Sequence, residues 1–89
     1  MEVLHLEHNR IEELPSEFGS LKTLVKINLS TNALRSLPKS MATMKKLQRI
    51  NCANNLLTTV PPEMGFLKTL KEFNLRQLFF VFKIGRAHV

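Results

Sequence analysis

Aligned at a period of 23 residues, the chain repeats itself three times and begins a fourth copy. The copies are 1–23, 24–46 and 47–69, followed by a partial copy over 70–77. Leu4, Ile27, Ile50 and Phe73 share one column, and Leu6, Leu29, Cys52 and Leu75 share another. Asn9, Asn32 and Asn55 form a third. Leu14, Leu37 and Val60 each stand directly before a proline, at Pro15, Pro38 and Pro61. Phe18, Met41 and Met64 precede Leu21, Met44 and Leu67 by three residues. Self-similarity at this length marks a supersecondary unit that buries its apolar face only by stacking on its neighbours.

Each column has a physical reason. The segment around Leu4 and Leu6 alternates apolar and polar residues, as a one-sided strand does. Its copies are expected to stack in parallel, and parallel strands require a crossover, which the rest of each repeat supplies. The repeated proline is expected in the first turn of a short helix, where its missing N–H costs nothing. Apolar residues three apart, such as Phe18 and Leu21, then fall on one face of that helix. After the strand the chain must bend inward, which buries backbone groups that need partners. An asparagine amide both donates and accepts, so a row of Asn9, Asn32 and Asn55 can satisfy adjacent turns.

The pattern LxxLxLxxNxLxxLP over residues 1–77 resembles the leucine-rich-repeat family. The 23-residue length and the Leu-Pro pair are similar to its intracellular Ras-suppressor-like branch, which includes scaffolds of the Scribble and erbin kind. The LxGxIP phrase usual in plant receptor repeats does not occur. The resemblance implies an α/β solenoid. Its parallel strands would line the concave face, with short helical or 3-10 crossovers on the convex side.

The fourth copy departs from the pattern. Leu78 stands where an asparagine is expected, and Lys83 and Ile84 stand where the Leu-Pro pair is expected. Residues 78–89 therefore read as a divergent tail, and its Leu78-Phe79-Phe80-Val81-Phe82 stretch has none of the polar character of a solenoid cap. Residues 84–89 match the translation of a common DNA-sequencing adapter and are expected to lie outside the fold. Met1 occupies a leucine column. Both ends thus read as cuts within a longer array.

In such an array the residues flanking the strand leucines face outward on the concave side. Those expected to contact a partner are His5 and Glu7, then Lys26, Asn28 and Ser30, then Arg49 and Asn51, then Glu72, Asn74 and Arg76. Val3, His8, Thr31, Ala53, Asn54 and Gln77 complete this surface, giving sixteen positions. A standard interface uses about 20 to 30 residues a side, so further repeats are expected. Among the cations, arginine makes the better anchor because its fork is planar and pre-organised.

Other chemistry finds little support. His5, Glu7 and His8 are too few and too poorly spaced for a zinc site, and no nucleophile accompanies them. No phosphate loop, cofactor motif or paired carboxylates appear, so the chain is not expected to be an enzyme. The net charge is +6, and it falls to +4 without Lys83 and Arg86 of the tail. Lys22, Lys45 and Lys68 share a column and form a basic ridge that an acidic or anionic surface would attract, though such lysines commonly serve only solubility. With no aromatic stacking surface, nucleic-acid binding is not expected. Asn28-Leu29-Ser30 matches a glycosylation acceptor, but the repeat produces the same triplet by itself. The single cysteine, Cys52, excludes an internal disulfide and fits a cytoplasmic setting. No apolar run approaches the roughly 20 residues of a membrane span. The expected function is a protein-interaction module within a larger scaffold or signalling protein. The alternative is a set of targeting repeats attached to a kinase, cyclase or ligase domain.

Overall fold

The computed structural model describes residues 2–76. The divergent tail, with its suspected adapter-derived end, lies outside them, as do Met1 and Gln77. Four strands form one parallel sheet in chain order: β1 (Glu2–His5), β2 (Leu24–Asn28), β3 (Arg49–Asn51) and β4 (Glu72–Asn74). The register follows the repeat. Leu4 pairs with Ile27, Ile27 with Ile50, and Ile50 with Phe73. Parallel pairing runs on past the strands. The N–H groups of Leu6, Leu29 and Cys52 donate to Asn28, Asn51 and Asn74 carbonyls at 2.9, 2.8 and 2.8 Å.

Three 3-10 helices carry the crossovers: η1 (Ser16–Ser20), η2 (Lys39–Thr43) and η3 (Pro62–Phe66). A 3-10 turn eclipses residues three apart, so Phe18, Met41 and Met64 enter the core in line with Leu21, Met44 and Leu67, the residues that cap each helix. Met44 and Leu67 in that second column are also buried. Leu21 is 41% exposed, because its repeat is covered on one side only.

The repeated proline sits one step earlier than expected. Pro15, Pro38 and Pro61 occupy the cap position with extended backbone, at ψ 159°, 135° and 131°. Their carbonyls accept the N–H groups of Phe18, Met41 and Met64 at 3.0, 3.1 and 3.0 Å. The reason is that each helix is a short 3-10 element of five residues. Proline serves it by fixing φ on the way in and accepting its first hydrogen bond.

The core lies between sheet and crossovers. Ile27, Leu29, Leu34, Met41 and Met44 of the second repeat and Leu47, Ile50 and Cys52 of the third are fully buried, because both repeats have a neighbour on each side. Among the described residues no helix is long and apolar enough to cross a membrane.

Candidate functional site

The turn that follows each strand sets the geometry of the open sheet face. His8, Thr31 and Asn54 stand in one column and all adopt the left-handed conformation, at φ 59°, 57° and 57°. Their N–H groups still donate across to Ser30, Ala53 and Arg76 of the next repeat. The following residue is the ladder asparagine. Asn32 Nδ2 donates to its own repeat at Leu29 O (3.0 Å) and to the preceding one at Leu6 O (2.9 Å), while its Oδ1 accepts Ile11 N–H at 3.0 Å. Asn55 repeats this on Cys52, Leu29 and Leu34. Among the described residues Asn9 bonds only within its own turn, to Leu6 and Glu7 carbonyls.

A second asparagine column lies on the sheet face itself. Asn28 Oδ1 accepts the Ser30 N–H at 3.1 Å and the Ser30 hydroxyl at 2.8 Å. Asn51 Oδ1 accepts Ala53 N–H at 3.1 Å, and Asn74 Oδ1 accepts Arg76 N–H at 3.0 Å. These are Asx turns, which hold the strand exit in place. A backbone N–H can bond only to the oxygen of the amide, so the orientation of each side chain is settled. In each case the Nδ2 group is turned away from the turn.

The structure gathers six of the expected partner residues around one depression of about 270 Å³: Lys26, Asn28, Arg49, Asn51, Glu72 and Asn74. Ser30 is tied to Asn28 beside it. Arg76 is exposed past the end of β4. His5 and Glu7 stand apart on the first repeat, where His5 Nδ1 lies 3.5 Å from Glu7 Oε1. The two groups are close without an aligned hydrogen bond, and the buried Oε1 has no donor among the described residues. Among the described residues no three potential metal ligands come together.

The lysine ridge is divided. Lys22 Nζ donates to the Thr43 hydroxyl at 2.7 Å and is spent on joining two repeats. Lys45 and Lys68 instead flank Phe66, which is 70% exposed, around a second depression of about 360 Å³. Cys52 is fully buried, and burial pushes its thiol up to about 12, so it is no nucleophile.

The leucine rich repeat family model matches residues 1–57. A solved structure of a leucine-rich-repeat protein from Leptospira interrogans is similar, with 38% identity and a TM-score of 0.83 over 98% of this chain. The chain spans 23% of the length of that protein. No curated protein matches it.

Proposed function

The chain belongs to the leucine-rich-repeat family, and on that premise we propose that it binds a partner protein on the open face of its four-stranded sheet. The observation that carries this reading is the gathering of Lys26, Arg49, Glu72 and the three face asparagines around one depression, on the side of the sheet away from the apolar core. A rigid scaffold presenting polar side chains in fixed register supplies specificity at little ordering cost. The Leu-Pro pair and the 23-residue repeat support a place in the Ras-suppressor-like branch and a scaffolding or signalling role. The lone buried thiol of Cys52 fits the reducing conditions of the cytoplasm.

Site-specific photo-crosslinking tests the surface. A crosslinker at position 49 or 74 is expected to capture partner, and one at position 45 or 68 is not. With the captured partner, Arg49→Ala should weaken binding about tenfold or more, as loss of an anchor does, whereas Lys45→Ala should leave it unchanged. Equal effects of the two substitutions would rule out the sheet face as the interface.

A further inference from the structure

Lys26 and Arg49 are direct neighbours in the β2–β3 register. Like charges placed opposite each other on adjacent strands are destabilising. Among the described residues neither Lys26 nor Arg49 makes a salt bridge. Glu72 follows Arg49 in the same row on β4, yet no salt bridge forms between them. Across β2, β3 and β4 the row therefore reads plus, plus, minus, and it lines the depression of about 270 Å³.

The next row is Asn28, Asn51 and Asn74. Their Oδ1 atoms are taken by Ser30, Ala53 and Arg76 N–H groups. Their Nδ2 groups donate to no other described residue, which leaves a line of amide donors beside the charged row. Such a line suits the carbonyl oxygens of an extended backbone.

Spacing then selects the ligand. Parallel strands lie about 4.8 Å apart, so a group seated midway between Lys26 and Arg49 is roughly 7 Å from the strand that carries Glu72. Same-side residues of an extended peptide are separated by about 6.6 to 6.8 Å. On the basis of the sheet-face reading above, we infer that this surface takes an extended peptide segment of the partner with an acidic residue and a basic residue two positions apart. The carboxylate sits between Lys26 and Arg49, the cation sits over Glu72, and peptide carbonyls accept from the asparagine row, with Asn51 at its centre.

Panning a random peptide display library against the full chain tests this. Binders should be enriched in an acid and a base at i and i+2, in either chain direction. Arg49→Gln should weaken the selected peptides at least tenfold, Glu72→Gln should remove the preference for the basic residue, and Lys45→Gln should do neither. Asn51→Asp keeps the oxygen that holds Ala53 and removes the donor, so it should weaken binding while thermal unfolding stays unchanged. Binders without the i, i+2 charge pair, or indifferent to Arg49→Gln, would overturn the inference. If partner crosslinks at position 49 persist alongside that result, the sheet-face reading still stands. Their absence would remove both.

Discussion

Asn55 and Asn9 hold the same place in the repeat but not the same environment. Asn55 is 7% exposed and joins two repeats, donating to Leu29, Cys52 and Ala53 carbonyls and accepting Leu34 N–H. Asn9 is exposed and serves two carbonyls of its own turn. An unsatisfied buried polar group costs about 1–3 kcal/mol. Asn55→Ala strands several at once and should lower stability by roughly 3 kcal/mol, whereas Asn9→Ala exposes its partners to water and should cost under about 1 kcal/mol. Urea unfolding of the two variants measures the difference, and similar costs would show that the ladder does not bind repeats together. The ladder column itself was plain in the sequence, because its asparagines hold fixed phase with leucines. The second column was visible only as positions. Asn28, Asn51 and Asn74 lie 23 apart, but spacing does not reveal that their oxygens close turns on the residue two ahead. The left-handed column was hidden for a related reason. His8, Thr31 and Asn54 share no side-chain chemistry, only a backbone conformation, and a branched residue such as Thr31 is a poor signal for it.

The same distinction between pattern and packing appears in the crossover elements. Apolar spacing identifies a helical turn but does not say how closely two turns approach. Gly19, Ala42 and Gly65 form a column of small residues, and its meaning lies in the contact between η1 and η2. A Cβ built on Gly19 would collide with the carbonyl oxygen of Ser40 and come within 2.7 Å of Ser40 Cβ. The two turns are already laced by Ser40 Oγ donating to Ser16 O at 2.6 Å, and by the Lys22 contact to Thr43. Backbone cannot yield there as a flexible side chain would. Gly19→Ala should therefore separate the helices and cost about 1–3 kcal/mol, in line with overpacking elsewhere. A Cβ built on Gly65 meets nothing within 4 Å among the described residues, so Gly65→Ala should be neutral or stabilising by up to about 1 kcal/mol through the unfolded chain. Thermal melts of the pair separate the two cases. A matching loss at both positions would place the small-residue requirement in backbone conformation rather than in helix approach.

Stacked repeats touch only their neighbours, so stability is a sum of interfaces rather than a property of one closed core. The leucine column that runs through the molecule shows what this means. Leu29 and Cys52 are 0% exposed, while Leu6 and Leu75 at the outer described repeats are half-buried. Leu29 packs between two repeats and takes part in both interfaces. Leu29→Ala should cost about 2–5 kcal/mol, as for other fully buried leucines. Leu6→Ala removes less buried surface and perturbs one interface, so its cost should fall below that range. The location of the damage is the sharper test. Leu6 and His8 N–H groups are held by Asn28 and Ser30 carbonyls at 2.9 and 3.0 Å, so they report on the bond between the first and second repeats. Hydrogen exchange should show Leu6→Ala releasing these amides while Leu29, Thr31 and Cys52 amides keep their protection. Leu29→Ala should release both sets together. If Leu6→Ala lowered protection equally across β1 to β4, the described residues would open as one cooperative unit, and the nearest-neighbour account of their stability would be wrong.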